Sequence, residues 1–337
     1  MRTARTCRRE LLVAVLVACL GALAGGLAAP PAVTAGAAPG KMGMIMPGTI
    51  QDSDFNTLGY LALQQIQKQH GLAVSHSEQV AVADAERVAR EYLGSGYSII
   101  AFHGAQYLTM VQKLAPQFPS ASFIIVSQGR GLPANVWNIT RKFHEGFYPL
   151  GVLAARATKS DKIGYISGIR LPDFIASLNA AYEAVKQTNP KAQFVYAFTG
   201  DQNEPVKARQ TAEAQIATGV DVIISSLNLG ILGVVEAARG ARSPVYVTSF
   251  YTDKSAMAPK VYLTSLVLDF GTPYAAIVDH ILKGQRGGNY DMRPGSGMEL
   301  ATILNTSPEV VKQVQAVFQE VVRGKAVPEV LDKIVVP

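Results

Sequence analysis

The stretch MGMIMPGTIQDSDFNTLGYLALQQI, Met42–Ile66, runs from an apolar strand through a Pro-Gly turn into an acidic, aromatic helix start. Phe55, Leu58, Ala62 and Ile66 recur at three- to four-residue spacing, the period of one helix face. Glycine at such a turn can cradle a phosphate, present a nucleophile or line a pocket for an uncharged ligand. The first use fails here. No GxGxxG follows the strand, no GxxxxGK[ST] occurs in the chain, and Asp52 would repel a pyrophosphate. No GxSxG elbow occurs either, which removes the commonest form of the second. The pocket reading is left.

The same alternation continues outward. LAVSH, SIIAFHG and SFIIVSQ read as short strands, separated by the helical patterns VADAERVAREYLGSG and AQYLTMVQKLA. They lack polar alternation, as expected of parallel strands covered by helices on both faces. The pattern pauses near residues 128–142 and restarts with HEGFYPLGVLAARAT, a helix despite Pro149. KIGYISG, AQFVYAFTG, VDVIISSL and PVYVTSFY follow as strands, with helices between them. The fold class is therefore α/β, with two doubly wound parallel-sheet lobes around a ligand cleft. Residues 41–135 are expected to form lobe 1, with 252–285 crossing back to it. Residues 136–251 form lobe 2, joined by 286–337. Ligands in such sheets bind beyond the carboxyl ends of the strands. The loops after Met46, Gly104, Gly168, Gly200, Leu227 and Tyr251 are the ones to watch.

Half of the formal net charge of +6 sits in the first ten residues, and no Lys/Arg cluster with interleaved aromatics follows. Nucleic-acid binding is not expected. MRTARTCRRE and the apolar run after it read as an export signal over residues 1–40. The mature chain is then exported, to the periplasm or the outer face of the cell membrane. Both cysteines, Cys7 and Cys19, lie in this segment, so the exported body has no disulfide. Cys19 has two readings. In LVAC it resembles a lipobox whose cysteine is lipidated, with the Ala/Gly/Pro-rich residues after it as a tether; otherwise it is incidental and cleavage follows a small pair near Ala28-Ala29.

The five histidines form no HExxH or close ligand pair. No catalytic residue, metal or cofactor is expected. The loop ends supply aromatic rings and uncharged hydrogen-bonding groups instead: Asp52, Phe55, Asn56, Gly104, Gln106, Phe174, Asn203, Asn228, Tyr251 and Asp253. A small, flat, polar ligand needs such rings to stack on and fixed donors and acceptors to orient it. Each residue also has a plainer role. Asp52 or Asp54 suits the N-cap of the first helix, and Asp173 that of its own. Phe55 and Phe174 fit the core, His103 a local hydrogen bond, and Asn203 and Asn228 ordinary turns.

PGTIQDSDFNTLGYLAL is similar to the D-x-S-F-N signature of the basic membrane protein family, exported solute-binding proteins of ABC importers, many of which bind purine nucleosides. The resemblance continues through GYSIIAFHGAQYLTMVQKLAPQFPSASFIIVSQ, HEGFYPLGVLAARATKSDKIGYISGIRLPDF, GVDVIISSLNLGILGVVEAARG and YTDKSAMAPKVYLTS. It implies a type I periplasmic-binding-protein fold closing on its ligand, with Phe55 and Phe174 stacking on a base. The chain departs from the family at Met46-Pro47, where nucleoside binders carry an aspartate, and at Leu268, where many have lysine. Asp54 replaces a serine, and Tyr251 stands near an acidic position. A free purine base is then implied as readily as a nucleoside. The implied partners are that ligand and ABC permease subunits in the membrane, with the receptor a monomer. A ligand-binding sensory receptor of the same fold, signalling to a membrane partner, is the alternative.

Overall fold

Met42, Met44 and Ile45 are fully buried although they face both sides of one strand, β1 (Lys41–Ile45). Helices must therefore cover both faces of the sheet. The computed structural model describes residues 40–337; the expected export signal, Cys7 and Cys19 lie outside the described residues. After β1 come α1 (Phe55–His70), β2 (Ala73–Ser77), α2 (Ala85–Gly94), β3 (Ile99–Phe102), α3 (Leu108–Leu114), β4 (Ser122–Val126) and β5 (Val136–Arg141). Helix α4 (Phe143–Ala157) leads into β6 (Lys162–Ser167), α5 (Pro172–Thr188), β7 (Gln193–Phe198), α6 (Pro205–Ala217), β8 (Val222–Ser226), α7 (Ile231–Arg239) and β9 (Tyr246–Tyr251). The tail adds β10 (Tyr262–Leu268), α8 (Gly271–Leu282), β11 (Gly288–Pro294), β12 (Gly297–Leu300) and α9 (Pro308–Val322).

The strands run in the order β2-β1-β3-β4-β5-β11-β12-β10-β9-β8-β6-β7. This is two six-stranded halves meeting at β11 and β12, through Arg293↔Gly297 and Pro294↔Met298. Strand pairing is parallel except between β10 and β12. In the first half β1 lies between β2 and β3; in the second β6 lies between β7 and β8. Strand order reverses at those two places, which opens a crevice at the carboxyl end of each half.

The pairing divides the chain differently from the expected boundaries. The pause near 128–142 contains β5, which pairs with β4 and extends the first lobe to Arg141. Strand β10 pairs with β9 and stays in the second lobe, whereas α8 packs on α1 in the first. Strand β11 joins β5 in register from Gly288↔Trp137 to Met292↔Arg141. Strand β12 returns to the second lobe beside β10, and α9 packs on α4. Gly, Asn, Asp and Pro make 288–300 a poor strand former by local propensity. Its strands exist through tertiary pairing, helped by Asn289 Oδ1, which accepts from Thr140 Oγ1 (2.6 Å) and Asn138 Nδ2 (3.1 Å). Among the described residues no helix is long and apolar enough to cross a membrane.

Candidate functional site

All six loops picked out by the strand-end rule meet in one cleft of about 220 Å³. Pro47 and Gly48 come from the β1 end, Gly104 and Gln106 from β3, Ile169 and Leu171 from β6, Gln202 and Asn203 from β7, Asn228 from β8 and Tyr251 from β9. Phe55, Asn56, Arg141 and Phe174 complete the wall. Eight of the ten expected ligand residues thus share one cavity. Asp52 and Asp253 do not line it.

Asp52 is buried, and its carboxylate caps α1. Oδ1 accepts from the backbone N–H groups of Asp54 and Thr57, and Oδ2 from those of Asn56's backbone and side-chain amide, at 2.7–3.0 Å. Burial alone would raise its pKa; the N–H donors of Asn56 and Thr57 outweigh that and hold it below the usual carboxylate value. Its role at the site is to fix Asn56. That amide's Oδ1 also accepts from Gly48 N at 3.2 Å, and a Cβ at Gly48 would lie 2.5 Å from Asn56 Nδ2. Glycine is required there for the close approach. Asp253 is exposed and accepts from Ser255 N at 2.9 Å, fixing the turn after β9.

One face of the Phe55 ring is covered by His103, stacked at 4.1 Å and 19°. The Arg141 guanidinium lies over the same ring at 5.7 Å, so a ligand ring meets only what these two groups leave open. His103 Nε2 lies 2.8 Å from the Phe55 carbonyl and Nδ1 3.0 Å from the Tyr274 hydroxyl. A carbonyl only accepts, so Nε2 carries the proton and Nδ1 accepts from Tyr274. A Cβ at Gly59 of α1 would come within 2.7 Å of this imidazole. Burial pushes the His103 pKa down to about 4. The depressed value favours the neutral ring in the fold, so its stabilisation is full above pH 6.5 and is lost as pH falls through about 4. His103→Gln should therefore flatten the acid limb of a urea-unfolding pH series by on the order of 3 kcal/mol. An unaltered pH dependence would contradict the buried neutral imidazole.

Phe174 is 2% exposed; it packs on Phe143 (5.8 Å) and Phe250 (6.0 Å) and shows an edge to the cleft. It is core and wall together. Tyr251 packs on Phe250 at 3.8 Å with the rings tilted by 31°, and adopts φ 73°, a conformation that costs a non-glycine residue about 1–3 kcal/mol. Its ring lies 5.9 Å from that of Phe55, and the residue lines the cleft.

The lobes are tied together beside the cavity. Asp54, at the N-cap position of α1 but making no cap bond, accepts from Lys254 Nζ (2.5 Å) and Thr252 Oγ1 (2.7 Å) beyond β9. Asn228 Nδ2 reaches Asp52 Oδ2 at 3.3 Å. Burial raises the Asp54 pKa to about 6 against the pull of Lys254, and lowers that of Lys254 against the pull of Asp54. Both shifts show that burying this pair costs free energy.

The charged and amide residues of the wall and tie that were missed in the sequence include Arg141, Gln202 and Lys254. Arg141 ends β5, and the alternation Trp137, Ile139, Arg141 against Val136, Asn138, Thr140 was the available signal. Asp173 is not an N-cap; Leu171 holds that position, and Asp173 faces Arg141 from the first turn of α5. A larger groove of about 950 Å³ lies at the amino ends of the second-lobe strands, around Arg156, Asp221 and Tyr246. None of its polar side chains is buried without a partner, and Asp221 is already bonded to Thr158, Lys159 and Ser160. The cleft is the better candidate despite its size.

The family model described as ABC transporter substrate-binding protein PnrA-like matches residues 40–316. Basic membrane protein A2 of Borrelia garinii is 24% identical over 267 residues, 76% of this chain and 78% of that one. The fold is similar to a solute-binding protein of an ABC system from Aeropyrum pernix, with a TM-score of 0.73 at 18% identity, covering 86% of this chain and 94% of the other. It is also similar to a transcriptional activator of the comK gene from Bacillus halodurans, with a TM-score of 0.72 at 19% identity, covering 86% and 100%. These two likenesses carry the fold.

Proposed function

The chain belongs to the basic membrane protein family of ABC-transporter substrate-binding proteins, and from that premise we propose that it is an exported importer receptor that closes its two lobes on a purine base or nucleoside. The observation that carries the ligand class is the cleft wall. The rings of Phe55 and Phe174 stand among the amides of Asn56, Gln106, Gln202, Asn203 and Asn228. Rings offer stacking, and amides offer both donors and acceptors to the edges of a heterocycle. At about 220 Å³ the cleft is below the roughly 300 Å³ at which drug-sized pockets begin.

Contacts from both lobes make the ligand favour the closed arrangement over the open one, so binding shifts the population toward closure. The closed form is then what a membrane permease receives. Cys19, if lipidated, holds the receptor near that permease. A thermal-shift screen of purine bases and nucleosides tests the ligand class, because a ligand that binds only the folded state stabilises it by about 2.7 kcal/mol at a hundredfold excess over Kd. The expected result is a concentration-dependent rise in Tm with at least one purine. No rise with any of them would sink the purine assignment.

A further inference from the structure

Arg141 is 4% exposed and lines the cleft, yet its Nε is buried with no hydrogen-bond partner among the described residues. Nη2 forms an ion pair with Asp173 Oδ2 at 2.5 Å. Both Asp173 oxygens are likewise without hydrogen-bond partners. The guanidinium is held between the rings of Phe55 (5.7 Å) and Phe143 (5.1 Å). Guanidinium has five donors and no acceptor, and a buried donor left unmade is costly. The carboxylate of Asp173 balances the charge, so the missing acceptor need not be an anion. A neutral carbonyl is enough.

The other polar groups of the wall do not discriminate in this way. Gln202 carries an unpartnered donor and an unpartnered acceptor and suits either edge of a purine, whereas Asn56 is fixed by Asp52 and Gly48, and Asn228 Nδ2 is spent on Asp52 and Asn203, which leaves its Oδ1 to accept. Arginine cannot be reversed. An amino group placed against it sets donor against donor, whereas an oxo group beside a ring nitrogen accepts both arms of the fork. The same logic pairs arginine with guanine O6 and N7, and asparagine or glutamine with adenine N6 and N7. We propose that Arg141, held in place by Asp173, makes the cleft selective for 6-oxopurines over 6-aminopurines. This rests on the purine reading above.

Calorimetric titration of the full chain, freed of bound ligand, with hypoxanthine and adenine, and with inosine and adenosine, tests it. The wild-type protein should bind the oxo member of a pair about 5- to 150-fold more tightly. Arg141→Gln should lose or reverse that preference. Because it leaves Asp173 buried without its cation, the Arg141→Gln/Asp173→Asn double variant is measured beside it and should show the same change. Equal or tighter binding of the amino members by the wild type, or an oxo preference retained in the double variant, would overturn the inference and leave the purine reading standing. Binding of no purine at all would overturn both.

Discussion

Asp54→Asn and Lys254→Met, made singly, should each weaken ligand binding by about 3–5 kcal/mol, while the double variant should bind nearly as well as the wild type. Asp54 is fully buried and Lys254 is 7% exposed where the two lobes touch. Removing the lysine leaves the carboxylate with Thr252 alone and its Oδ2 unpartnered. Removing the carboxylate leaves an ammonium with only the Phe250 carbonyl (3.2 Å) and Thr252 Oγ1 (2.9 Å). Opening the lobes returns either lone charge to water, so the cost falls on closure and hence on affinity. Replacing both partners removes the stranded charge, which is why the double variant recovers. Calorimetry on the four proteins reads the coupling directly. A double variant as weak as the two losses added together would mean that the residues act separately and do not form a tie.

Phe174→Ala should lower unfolding free energy by about 3–5 kcal/mol, because it empties a core position against Phe143 and Phe250. Phe55→Ala should behave differently. Its ring is only half-buried and faces the cleft, so the larger effect is a loss of affinity of about 1–3 kcal/mol, the range for stacking on a base. Urea unfolding and ligand titration of both variants separate the roles. Unchanged affinity in Phe55→Ala would return that ring to the core of α1.

Strands buried on both faces were legible, since β1, β3, β4 and β8 announce themselves as apolar runs. The six cavity loops followed from the ends of β1, β3, β6, β7, β8 and β9, because a strand's end fixes where its loop emerges. Strands β5, β11 and β12 were not legible: they carry Asn, Thr, Gly and Asp, and they are held by each other. Arg141 was hidden with them, since its place depends on recognising β5. The Asp54–Lys254 tie joins residues 200 positions apart, and local spacing carries no record of such a pair. Asp52 was seen as a site residue because it flanks Phe55, but its oxygens are spent on the helix start. Short polar motifs at strand-to-helix turns serve backbone and ligand alike, and only geometry separates the two.

Native mass spectrometry of the full chain, purified without denaturation, bears most directly on a receptor that closes on a purine. One small-molecule adduct with the mass of a purine base or purine nucleoside, released on collisional activation and absent from Asp54→Asn, is the expected result. A co-purifying amino acid, sugar or lipid in its place, retained by Asp54→Asn, would contradict it.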